Sequence, residues 1–82
     1  MTLTISSQNQ DGSDRRLEAT LELKGDRVSI KWERGSGQLR RMLEQRVVRD
    51  RRGLVGPDDG KRFFEALPAY FSRSSTIVVE QS

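Results

Sequence analysis

The stretch "LEATLELKGDRVSIKWE", residues 17–33, constrains the fold more than any other part of the chain. Leu17, Ala19, Leu21 and Leu23 alternate with Glu18, Thr20, Glu22 and Lys24. Val28, Ile30 and Trp32 then alternate with Arg27, Ser29, Lys31 and Glu33. Strict alternation of this kind marks strands with one buried face. Gly25-Asp26 between them suits a two-residue type II′ turn, whose first position needs a positive φ. Such a turn sets the register, with Leu23 opposite Val28, Leu21 opposite Ile30 and Ala19 opposite Trp32. All three pairs share a face, and the indole meets the smallest partner. The hairpin therefore has one apolar side that other elements must cover.

The segment "TLTIS" adds Leu3 and Ile5 to that side as a third strand. A two-residue turn at Asp11-Gly12 would set Ile5 against Glu18, out of phase with the core. A three-residue loop, Gln10-Asp11-Gly12, places glycine at a left-handed position and pairs Ile5 with Leu17 and Leu3 with Ala19. The polar stretch 6–16 also reads as a plain loop. On the solvent face the alternation leaves Glu18, Thr20, Glu22, Ser29, Lys31 and Glu33.

Beyond Glu33 the period changes. "SGQLRRMLEQRV" puts Leu39, Met42, Leu43 and Val47 on one side of a helix, with Ser36 as its N-cap. Arg46 and Asp50 interrupt that stripe, so either the helix ends near there or residues 46–49 leave it as a short extended piece, and the glycines and Pro57 of "RRGLVGP" form a breaker segment. A second helix follows in "DDGKRFFEALPAYF", started by Asp58 or Asp59. Phe63, Phe64, Ala66, Leu67, Tyr70 and Phe71 give it a broad apolar arc, with Phe64 and Tyr70 at the exposed margins. Pro68 falls on the solvent side, where it removes a backbone hydrogen bond and bends or breaks the helix. "STIVVEQ" closes as a β-branched strand. The expected architecture is one α+β domain over residues 1–82. It has a three-stranded antiparallel meander, two helices packed on one face and a C-terminal strand, in the order β-β-β-α-α-β and in two layers.

Composition narrows the chemistry. The chain has 82 residues, with no cysteine and no histidine. That excludes disulfides, thiolate zinc sites, thiol nucleophiles and imidazole bases or ligands. No apolar run is long enough to span a membrane, and "MTLTISSQ" lacks the basic and apolar regions of a secretion signal. A cytoplasmic protein without cofactor, metal or membrane contact is expected. A core this small also makes a homodimer that completes it an expected state.

The charge is uneven. Residues 1–33 and 53–82 each carry a net −1, while residues 34–52 carry +5, so this middle stretch supplies the whole excess of the +3 chain. Arg40, Arg41, Arg46, Arg49, Arg51 and Arg52 are accordingly the candidate contacts for an anionic partner such as nucleic acid. On a helical wheel they scatter rather than form a stripe, and Arg40–Glu44 is an ordinary i,i+4 pair of small worth. The two helices stand too far apart for a helix-turn-helix, and the solvent face of the sheet offers no aromatic stacking platform.

Asp58-Asp59 lacks the alternating ligands of a calcium loop and fits helix capping instead. Trp32, Phe63, Phe64, Tyr70 and Phe71 could line a pocket, but each lies on a face already needed for the core. No nucleophile, base and oxyanion donor come together. The expected function is a non-enzymatic interaction domain that binds a protein partner or its own copy. Polyanion binding through residues 40–52 is the less favoured alternative.

Overall fold

A computed structural model describes residues 1–25, 27–43 and 59–81. Strands β1 (Thr2–Ser7), β2 (Arg16–Lys24), β3 (Arg27–Trp32) and β4 (Ile77–Gln81) form one antiparallel sheet in the order β3-β2-β1-β4. Among the described residues helix α1 covers 37–43, and α2 spans Asp59–Tyr70. The element order is the expected β-β-β-α-α-β, an α+β arrangement with the helices on one side of the sheet.

The β2–β3 hairpin has the register its sequence specifies. Ala19 faces Trp32, Leu21 faces Ile30, Leu23 faces Val28, and Lys24 faces Arg27 across a two-residue connection. Gly25 sits at φ 65°, the left-handed region the turn requires. Asp26 lies outside the described residues.

The β1–β2 pairing corrects the expected one. Ile5 faces Ala19 rather than Leu17, and Leu3 faces Leu21 rather than Ala19. The connection is no three-residue loop but residues 8–15, folded on their own hydrogen bonds. The Gly12 amide donates to the Asn9 carbonyl at 2.9 Å, the Asn9 amide to the Ser13 carbonyl at 2.9 Å, and the Ser13 amide to the Asp11 carboxylate at 2.9 Å. Asp14 takes φ 56°, a left-handed conformation that aspartate tolerates, and accepts from the Asn9 side chain at 3.1 Å.

The register then shifts between Ile5 and Ser6, so that Ser6 faces Leu17 and Ser7 faces Arg16. Glu18 is the extra residue of a β-bulge. A bulge inverts the inside–outside alternation beyond it. Glu18, expected on the solvent face, is buried, while Leu17, expected in the core, is 40% exposed.

One cluster holds the fold together: Leu3, Ile5, Ala19 and Leu21 from the sheet, Leu39 and Leu43 from α1, and Phe63, Phe64, Leu67 and Phe71 from α2 and its end. Phe64 is fully packed, not marginal, whereas Tyr70 is half-buried as expected. Met42 does not join the core and is 40% exposed. Ser36 stands at the N-cap of α1: its carbonyl accepts from the Arg40 amide at 2.9 Å and its hydroxyl donates to the Glu33 carbonyl at 2.6 Å. Pro68 is exposed and does not break α2, which runs on to Tyr70. Val47, Asp50, the breaker segment and Asp58 lie outside the described residues, as does the side chain of Asp59.

Candidate functional site

Of the six candidate arginines, Arg40 and Arg41 are described, and both are exposed on α1. Arg46, Arg49, Arg51 and Arg52 lie outside the described residues. The Arg40 guanidinium carbon stands 5.9 Å from the Trp32 ring centroid, within cation–π range. Arg40 thereby ties α1 to the end of β3. Arg41, one residue on, is turned from it by the helical step of about 100°. Among the described residues no aromatic side chain joins the solvent face of the sheet, which carries Thr4, Leu17, Thr20, Lys31, Val78 and Glu80.

The bulge builds a polar cluster that the alternation concealed. The Ser7 hydroxyl donates to Glu18 Oε1 at 2.7 Å, and the Arg16 guanidinium donates to the same oxygen at 2.9 and 3.3 Å. Burial by itself would raise the Glu18 carboxyl. The Ser7 and Arg16 hydrogen bonds and the Arg16 charge outweigh it and hold the group below its ordinary value, so it stays ionised. A cleft of about 410 Å³ opens above this cluster, between the bulged end of the sheet and α1. Ser36, Gln38, Leu39, Met42, Thr76 and Ile77 are among the residues that line it. A second ion pair, Arg15 to Glu80 at 2.9 Å, fastens the end of the β1–β2 loop to β4.

Among the described residues, the outer edge of β4 has no neighbouring strand. A strand points the N–H and C=O of successive residues to opposite sides. The Gln8 amide donates to the Thr76 carbonyl at 2.8 Å, which turns Thr76 toward β1. By alternation Val78 and Glu80 also bond to β1, in register with Ser6 and Thr4. Ile77, Val79 and Gln81 therefore point their backbone groups outward. On the far side of β1 the Leu23 amide donates to the Met1 carbonyl at 2.9 Å, so the odd residues of β1 serve β2 and the even ones β4, as this assignment requires.

The Ile77 amide is held by Ser74 Oγ at 3.0 Å. No described element pairs with the outward groups of Val79 and Gln81, because β4 ends the sheet. The other end, β3, carries Arg27 and Lys31, the charged residues that blunt an edge. β4 carries Ile77, Val78 and Val79 with no charge before Glu80.

No helix among the described residues is long and apolar enough to cross a membrane, and none of their acidic side chains group in threes to hold a metal ion. No family model, no curated protein and no solved structure matches the chain.

Proposed function

We propose that this chain is a small non-enzymatic interaction domain that takes up an extended segment along the outer edge of β4. One observation carries the reading: Ile77, Val79 and Gln81 direct their backbone groups away from β1 on a strand with no charge over its first three residues. Main-chain hydrogen bonds to such an edge give affinity, and the flanking side chains give selectivity. The half-buried Ile77 and Val79 pack against the core, so an added strand extends that core sideways. A sequence without histidine or cysteine lacks the usual bases and nucleophiles and argues against catalysis. The cytoplasm is the proposed setting, since the fold has no disulfide to lose in a reducing compartment.

A pair of proline substitutions tests whether the edge is available. Val79→Pro removes an outward N–H and projects its ring away from β1. Val78→Pro removes a bond to β1 and drives its ring into that strand. Val78→Pro is expected to lower the urea midpoint strongly and Val79→Pro only slightly. Equal, large losses would mean that the Val79 N–H is already bonded within the chain, and the reading would be wrong.

A further inference from the structure

The proposed edge leaves open what kind of segment occupies it. Resting on that reading, we infer that the occupant is β4 of a second copy, paired antiparallel about a two-fold axis through Val79. The backbone groups decide this register. In an antiparallel ladder the hydrogen-bonded partners are residues that both point at the seam, here Ile77, Val79 and Gln81. With Val79 on the axis, the two Val79 residues exchange both of their bonds. Each Gln81 then stands opposite Ile77 of the other copy, and its amide meets the Ile77 carbonyl. The Ile77 amide, held by Ser74 Oγ at 3.0 Å, forgoes its bond to the Gln81 carbonyl, and the two Val79 bonds and the two Gln81 amide bonds remain.

Neighbouring registers do worse. An axis through Val78 makes Ile77 and Val79 partners, and with both Ile77 amides held by Ser74 only the two Val79 amide bonds remain. An axis through Glu80 sets two carboxylates directly opposite each other, which is destabilising. With the axis through Val79, each Glu80 falls beside a valine, and each keeps its ion pair with Arg15 at 2.9 Å. Pairing β4 with β3 of another copy would form a head-to-tail contact that does not close, whereas the two-fold contact closes with two chains. The result is a continuous eight-stranded sheet whose core faces lie on the same side. Apolar Ile77 and Val79, half-exposed at the end of one sheet, become interior to the joined one.

The absence of cysteine makes the register directly testable. Sedimentation equilibrium of the native chain should show a two-fold mass, and Val79→Pro should weaken the association at least tenfold while circular dichroism shows the fold retained. Under mild oxidation the double variant Val78→Cys/Glu80→Cys should form a covalent dimer. These positions face each other in a non-hydrogen-bonded pair, within disulfide reach. Neither single variant should cross-link with comparable yield. The cysteine variants keep the test independent of whether the proline variant folds. A native chain that stays monomeric at every concentration overturns the inference, as does efficient cross-linking by Val78→Cys alone, which would put the axis through Val78. A monomer whose Val79→Pro variant is stable and whose Val78→Pro variant is not leaves the open edge standing and makes the occupant foreign. Equal losses from both prolines remove the edge reading as well.

Discussion

Removing the Ser7 hydroxyl should cost this fold more than removing the Arg16 guanidinium, although arginine brings the charge. Both groups converge on Glu18 Oε1, but their surroundings differ. The Ser7 bond is 2.7 Å long, and the carboxylate that receives it is 6% exposed. Ser7→Ala takes a donor from a buried charge, at a cost of about 1.5–3 kcal/mol. The Arg16 side chain is 64% exposed, so water already screens its attraction. Arg16→Ala should cost about 0.2–1 kcal/mol. Urea denaturation followed by the fluorescence of Trp32, the single tryptophan, reads both losses. With a slope of roughly 1 kcal/mol per molar, Ser7→Ala should lower the midpoint by about 2 M and Arg16→Ala by less than about 1 M.

The pH dependence supplies a second check. The Glu18 carboxyl is lowered in the folded chain, so its contribution is present above the pKa of an ordinary glutamate and is lost as pH falls through the folded value. The penalty of Ser7→Ala should therefore shrink at the acid end. A larger loss from Arg16→Ala refutes the reasoning. So does a Ser7→Ala penalty that stays constant after Glu18 is protonated.

Two further outcomes follow from the fold and the edge. Leu17→Ala should change stability by less than about 0.5 kcal/mol, as at a surface position, whereas Leu21→Ala should cost about 2–5 kcal/mol, as in a packed core. Comparable losses in chemical denaturation would restore the unbulged register. Labelled DNA and RNA should show no anisotropy change with the native chain at low salt. A salt-sensitive shift abolished by replacing Arg40, Arg41, Arg49, Arg51 and Arg52 with glutamine would move the function to residues 40–52.

The β2–β3 hairpin was legible because two independent signals agree on it. Gly25-Asp26 fixes the loop length, and the alternation of apolar residues then allows only one face to be buried. β1 was legible in face but not in register. Moving its partners by two residues leaves Leu3 and Ile5 on the core side, so the hydrophobic pattern cannot tell the two pairings apart. The bulge at Glu18 left no mark. Leu17, Glu18 and Ala19 continue the alternation without interruption, and no glycine stands at the extra residue. Its signature is tertiary: the Ser7 hydroxyl and the Arg16 guanidinium, brought together from two strands, stabilise a buried carboxylate.

The candidate site shows the same division. The β-branched run at 77–79 announces a strand, but its neighbour and the outward parity of Val79 depend on contacts between residues distant in sequence, such as Gln8 with Thr76. Neither the pairing of Arg40 with Trp32 nor the Arg15–Glu80 and Arg16–Glu18 ion pairs can be read from local spacing.

Exchange of the Val79 amide, followed by NMR over a range of protein concentrations alongside the mass in solution, bears most directly on the open edge. In dilute monomer Val79 should exchange rapidly while Val78 and Glu80 are protected by β1. Its protection should then rise in step with the fraction of dimer. Full protection of Val79 in the monomer, or none in a dimer, would contradict this account of how the chain associates.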